Sequence, residues 1–243
     1  MKISRYFTLK NFESLLVNKT LHFATLSNFF DKNEGLLNSA PTIKYLEEAQ
    51  KRTYVHQNIW QQFNLEKVKT HHEANRADRK KIFASCWSEL IQESHIHWNA
   101  FGESGKGVFV RSSVDKVQPS FDLEHLSDTT EEGVTSIRHS KVNYRSSNTL
   151  DLTWSNDIAF SKSDIFRAEE EVRFAIDLRD SNNRANSFLK TDTGILVGLK
   201  NLDFIDLVTI GYDYSPAEKL DIKNRFISFG LVADKIIFSD INV

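Results

Sequence analysis

The chain carries a single cysteine, which excludes an internal disulfide and any zinc cage built from cysteine ligands. Methionine occurs once and proline three times against eighteen phenylalanines, so the expected core is one of aromatic anchors. No stretch is apolar for long enough to cross a bilayer, and the opening MKISRYFTLKNF lacks the apolar run of a signal peptide. The expectation is a cytoplasmic protein without a membrane partner. Neither sign of charge dominates. A net charge near -2 gives no global case for nucleic-acid or membrane-surface binding, so any such surface must be local. No internal repeat and no low-complexity tract is present.

What remains is ordinary for a globular protein. Hydrophobic residues make up 40% and charged residues 26% of 243 positions, enough to bury a sizeable core. Lys2 to Leu9 alternates as a first strand, with Ile3, Arg5 and Phe7 on one face and Ser4 and Tyr6 on the other. Asn11 is the expected cap of a short helix carrying Phe12, Leu15 and Leu16. Leu21 to Ala24 reads as a second strand and Ser27 to Gly35 as a polar turn. Pro41 to Lys81 reads as helix. Its last part gathers Lys67, Lys69, His71, His72, Arg76, Arg79, Lys80 and Lys81, either a solvated face or a local surface for a nucleic acid or acidic partner.

Ile82 to Val110 organises the rest. A short apolar run turns polar at Ser85, Cys86, Trp87 and Ser88, a compact helical stretch follows, and the glycine-rich Gly102 to Gly107 leads into a strand at Val108. The hydroxyls at the end of the first of these strands are expected to face a cleft. Beyond it, Ser112 to Thr135 reads as a polar loop and Ile137 to Tyr144 as a strand. Three consecutive carboxylates, Glu169 to Glu171, lead into a strand that ends at Leu178. Gly194 to Leu199, Val208 to Gly211 and Asp234 to Phe238 read as further strands, and Ser215-Pro216 opens a helix. The expected fold is a single α+β domain over residues 1–243 with one mixed or antiparallel sheet and a helical insertion at 41–81.

Several landmarks resemble a widespread bacterial domain family of unknown function whose genes often lie near phage-defence and abortive-infection genes. The family begins with a basic-aromatic strand, here Arg5, Tyr6 and Phe7, and continues with an Asn-Asp-Pro-x-Glu segment, matched loosely by Phe23 to Glu34. A Cys-Phe-Ser and Met-Trp-x-x-Tyr core is matched by Cys86-Trp87-Ser88 and by His97-Trp98 through Phe101 to Gly107. A Trp-x-x-Glu-x-Glu-x-Arg motif preceded by lysine is matched by Lys162, Phe166, Glu169, Glu171 and Arg173, and a final strand-glycine by Val208 to Gly211. Phe30, Lys32, His97, Phe101 and Phe166 depart from the family pattern. The resemblance implies a fold, a site and a role as a defence or toxin-type effector with a phage or host partner.

The order of Arg5, of Ser85 and Ser88, and of Glu169 and Glu171 also resembles the Arg, Ser-x-Ser, Glu-x-Glu layout of ADP-ribosyltransferases, although the serine spacing here is Ser-x-x-Ser. That resemblance implies NAD as substrate, bound in the cleft of a split sheet, with no metal. An arginine can fork onto a phosphate, a serine can hold a ribose, and a glutamate can stabilise an oxocarbenium-like transition state while its partner activates the acceptor. Glu171, Glu169, Arg5 and Ser88 are therefore the candidate catalytic residues, and Tyr6, Trp98, Ser85, Arg173, Asp31 and Glu34 candidate substrate contacts. In an extended backbone Glu169 and Glu171 would share a face. Alternatively, Glu169, Glu171 and Arg173 form an ion-pair lattice with Arg5 that holds strand ends together. A second reading is a metal-dependent nuclease using Asp31, Glu34 and Glu171, with the basic helix as its nucleic-acid surface. A third is a binding module that senses a phage component without turnover. His95 and His97 read as structural or surface residues, Cys86 as packing, and Gly102 to Gly107 as a turn.

Overall fold

The computed structural model describes residues 1–31, 34, 36, 43–44, 48, 65–122, 137–145, 157–179 and 188–241. It opens with strand β1 (Lys2–Phe7), helix α1 (Leu9–Asn18) and strand β2 (Thr20–Thr25). Thr8, not Asn11, caps α1. Its hydroxyl accepts the Asn11 amide at 3.1 Å, since a cap side chain must precede the helix to reach the amides of the first turn. Phe12, Leu15 and Leu16 form the buried stripe, as their spacing predicts.

Helix α2 (Leu65–Asp78) runs through a short 3-10 turn, Arg79–Lys81, into strand β3 (Ile82–Ser88). It is the described end of the expected 41–81 insertion. Ile43, Lys44 and Glu48 are helical too, and the remaining residues up to 64 lie outside the described set. Arg79 departs from the surface role read for the basic run. It is buried and donates to the carbonyls of Leu26 at 2.8 Å and Asp31 at 3.3 Å.

Helix α3 (His95–Phe101) and strand β4 (Val108–Ser113) follow. The expected loop after Ser112 is instead helix α4 (Val114–Ser120), because Val114 and Val117 turn one face into the core. Strands β5 (Arg138–Lys141), β6 (Asn143–Arg145), β7 (Ser161–Ser163), β8 (Glu171–Asp177), β9 (Leu189–Lys190), β10 (Gly194–Gly198) and β11 (Leu207–Ile210) come next. Helix α5 (Pro216–Ser228) and strand β12 (Ile236–Phe238) close the fold. Helix α5 starts where expected. Ser215 and Glu218 form a reciprocal capping box with Pro216 in the first turn.

The fold is α+β on a single mixed, mostly antiparallel sheet. Among the described residues the main sheet runs β12-β11-β4-β1-β3-β2-β10-β9, with β8 and then β5 added beside β3, while β6 and β7 pair separately. Among the described residues the β11–β12 pairing is the one parallel pairing in the main sheet. The core is aromatic, as the phenylalanine content predicts. Phe12 of α1 meets Phe226 of α5 edge-on at 5.1 Å, and Trp87 meets Phe7, Phe174 and Phe204 at 6.3–6.4 Å. Among the described residues no helix is long and apolar enough to cross a membrane.

One topological detail positions the site. Strand β8 occupies one edge of β3 along its whole length. The other edge is shared: β2 pairs at Phe83 and Ala84, and β1 pairs only at Ser88. Between those contacts Ser85, Cys86 and Trp87 have no strand partner on that side among the described residues, so β1 and β2 fork apart.

The cap assignment predicts that Thr8→Ala lowers stability by about 1 kcal/mol, while Asn11→Ala costs much less. Urea unfolding of the two variants, compared by midpoint, checks it.

Candidate functional site

The fork encloses a cleft of about 390 Å³. Arg5 and Phe7 line it from β1, Cys86, Trp87 and Ser88 from β3, and Glu169 and Glu171 from β8 and the turn before it. The β3–β8 register sets Ser88 opposite Glu171 and Cys86 opposite Arg173, so the serine, the thiol and the charged pair share one end of the sheet.

Behind the cleft lies a buried cluster of charges. Arg173, 0% exposed, donates through Nε to Glu171 Oε1 at 2.8 Å and through Nη2 to Glu171 Oε2 at 3.0 Å. Its other donors meet Glu34 Oε1 and the Ala159 carbonyl. Lys162 bridges the two candidate acids, at 2.6 Å from Glu169 Oε2 and 3.0 Å from Glu171 Oε2, with Glu34 at 3.9 Å. Three carboxylates thus surround two cations. Burial on its own would raise the Glu171 carboxyl. Arg173 outweighs it, with help from Lys162 and a hydrogen bond from Cys86, and the result is about 2. For Glu34 burial wins over the cations and its pKa is raised. Burial also pulls Lys162 down, but Glu171, Glu34 and Glu169 more than reverse it. Burial, then the Glu171 charge, push the Cys86 thiol well up, so it stays a protonated donor and not a nucleophile.

Arg5 is not ion-paired into this cluster; burial lowers its pKa, and Cys86 and Glu171 oppose that only through space. Its Nη1 donates to Ser85 Oγ and its guanidinium lies 4.7 Å from the centre of the Phe7 ring. No carboxylate of the described residues is within ion-pair distance of it. The opposite wall is aromatic. His97 lies nearly parallel to Tyr6, 6.0 Å away at 13°, and Phe101 follows at 5.9 Å from His97. Tyr6 accepts the Ser94 amide at 2.9 Å, and burial raises its phenol to about 12.

The structure therefore brings Arg5, Tyr6, Ser88, Glu169 and Glu171 to one cleft. The other expected contacts lie behind it. Trp98 is 0% exposed, packed edge-on to Tyr6 at 4.9 Å with its Nε1 donating to Glu93 at 3.0 Å, so it supports the wall and does not line the cleft. Ser85 is fully buried, holding Arg5 and accepting from Trp87 Nε1 at 3.2 Å. Arg173 spends its donors inside the protein. Glu34 is enclosed, and Asp31 offers its backbone carbonyl to the Glu34 amide at 3.0 Å. Arg173 sits between Glu34 and Glu171, where a shared divalent metal would need to be, and among the described residues no group of three or more His, Cys, Asp or Glu could hold one.

Two expectations about geometry are corrected. Glu169 and Glu171 do converge, but not through an extended backbone: Glu170 is left-handed (φ 43°, ψ 50°), and Lys162 draws the flanking carboxylates together. The ion-pair lattice exists without Arg5, its cations being Arg173 and Lys162. Cys86, Trp87, His97 and Phe101 line the cleft but were not among the expected contacts. Cys86 had a usable signal, since alternation puts it on the same face of β3 as Ser88. Gly105 (φ 95°) leaves no room for a Cβ against Tyr212, 2.6 Å away, and its carbonyl accepts the Asp213 amide. Gly102 to Gly107 is thus a turn, as expected.

The cluster predicts an acid-sensitive fold. Because the Glu171 pKa is lowered, its contribution is present above the ordinary glutamate range and is lost as pH falls toward 2. Glu34, with a raised pKa, acts in the opposite direction. Glu171→Gln should lower stability at neutral pH by about 3–5 kcal/mol, by stranding buried cations, and should flatten the acid limb of stability against pH. Urea unfolding between pH 2 and 7 measures both effects. The chain matches no family model, no curated protein and no solved structure.

Proposed function

We propose that the cleft binds NAD or a related N-glycosidic nucleotide and breaks its glycosidic bond, by ADP-ribosyl transfer or hydrolysis. The observation that carries this reading is Glu171, a carboxylate held ionised in the wall of a cleft beside an arginine without a carboxylate partner among the described residues. As the bond from ribose C1′ to the nicotinamide nitrogen breaks, its electron pair leaves with the ring, which departs neutral. Positive charge develops on C1′ and the ring oxygen. A carboxylate that stays ionised is suited to stabilise that charge and to accept from the ribose 2′-hydroxyl.

A group with a pKa of about 2 is a poor base near neutrality, so a second carboxylate is needed for the incoming nucleophile. Glu169, 25% exposed and on the same cleft, is the group placed for it. It takes the proton as water or an acceptor hydroxyl forms its bond to C1′, and hydrolysis yields ADP-ribose, nicotinamide and one proton. The wall of Tyr6, His97 and Phe101 suits a flat ring, and Ser88, whose hydroxyl already donates to the Glu169 carbonyl at 2.7 Å, fixes the glutamate turn. In this reading the chain is an intracellular effector of defence or toxin type, as the family resemblance implies.

The test is nicotinamide release from NAD by purified protein, with and without added nucleic acid. Wild type should release it, and Glu171→Gln, with its fold verified by circular dichroism, should lose about 10²–10³-fold in rate. Glu169→Gln, less buried and therefore less disturbing to the fold, should lose hydrolysis as well. An absence of release from wild type under every condition ends this reading.

A further inference from the structure

The chain leaves the sheet after β2 and returns to it at β3, and both ends of this excursion meet at one carbonyl. At the return, Arg79 donates through Nη2 to the Leu26 carbonyl at 2.8 Å and to the Asp31 carbonyl at 3.3 Å. At the departure, the Glu34 amide donates to the same Asp31 carbonyl at 3.0 Å. Arg79 therefore holds the turn on which Glu34 is mounted. The link is also electrostatic: burial lowers the Arg79 pKa, and the Glu34 and Asp31 charges oppose it.

The same turn reaches the charge cluster behind the cleft. Glu34 accepts from Arg173 Nη2, and the Phe29 ring centre lies 5.3 Å from the Arg173 guanidinium. Nη2 is also the nitrogen that donates to Glu171 Oε2 at 3.0 Å. One guanidinium nitrogen thus serves two carboxylates, one mounted on the turn and one lining the cleft. Glu34, Glu171 and Arg173 are all buried, so water does not replace a lost partner. Withdrawal of Glu34 would strand a proton on Nη2 and leave Arg173 to Glu171, whose charge it would then neutralise more fully.

We infer that Arg79 and Glu34 are positioning residues that couple the end of helix α2 to the cleft, acting through Arg173 on Glu171. A shift at the end of α2 moves the Asp31 turn, the turn sets how much of Arg173 is taken by Glu34, and Arg173 sets the charge that Glu171 presents. The consequence for turnover rests on the glycosidic reading above, whereas the coupling stands on the contacts alone.

Cys86, the one cysteine of the chain, lines the cleft and reads its local charge without any substrate. Its alkylation rate with anionic iodoacetate, divided by that with neutral iodoacetamide at the same alkaline pH, reports the potential at the thiol and cancels changes in exposure. Glu34→Gln should raise this ratio about threefold, because Arg173 is then less balanced. Arg79→Met should raise it as well, although the direct effect of removing a cation is to lower it. In the Glu34→Gln background the Arg79 change should add nothing, since both act through one carboxylate. Arg79→Lys, which keeps the charge without the fork, should behave as Arg79→Met and decides the case if Glu34→Gln does not fold. Nicotinamide release should show about tenfold lower kcat at nearly constant KM in each single variant. A ratio unmoved or lowered in Arg79→Met, or additive effects in the double variant, overturns the inference. The expected rise in ratio without release from wild type sustains the coupling and removes the glycosidic reading. Release from wild type with a ratio indifferent to both variants does the reverse.

Discussion

The charge of Arg173 has no route to water, so it must be met entirely from within the protein. Glu171 meets it from two residues away on the same strand, Glu34 from the turn after β2, and the Ala159 carbonyl from the segment before β7. Lys162 then ties Glu171 to Glu169. Buried ions held this way are stable only as a set, because removal of any one strands its partners. The cluster therefore joins three stretches of chain, at Glu34, at Ala159 to Lys162 and at Glu169 to Arg173, that no described sheet pairing connects, and it holds both carboxylates that line the cleft.

The fork in the sheet is the complementary constraint. Had β1 and β2 both run along the free edge of β3, hydrogen bonds would have sealed the space between them. Instead β1 leaves β3 after a single contact at Ser88 and pairs with β4, while β2 goes on to β10. Helix α1 links the two diverging strands, and its residue Asn11 borders the cleft. The open sheet edge left inside the molecule is bordered by the Glu169 and Glu171 carboxylates and by Arg5.

Much of the local structure was legible in the sequence. Alternation located β1, short apolar stretches located β3, β8, β10 and β11, the Ser215-Pro216 start located α5, and the phenylalanine count foretold an aromatic core. Helix α4 was missed because its seven residues are polar apart from a pair of valines, too few turns to make a stripe stand out. Of the site, Arg5, Tyr6, Ser88, Glu169 and Glu171 were legible by residue type and order, while the positions of Trp98, Ser85, Arg173 and Glu34 behind the cleft were not. Period-two alternation tells which residues share a face of a strand, but not which face the cleft opens on.

The sequence by itself determined the identity and order of most of the longer secondary elements, the aromatic character of the core and the absence of an internal disulfide, because these follow from composition and from contacts a few residues apart. Tertiary structure alone decided that Lys162 clamps the glutamates, that Glu34 balances Arg173 and that Arg5 meets Ser85 instead of joining the ion-pair lattice. Those outcomes depend on which strand edges meet across long stretches of chain, and the cost of burying a charge depends on every neighbour at once. No local pattern encodes such a sum.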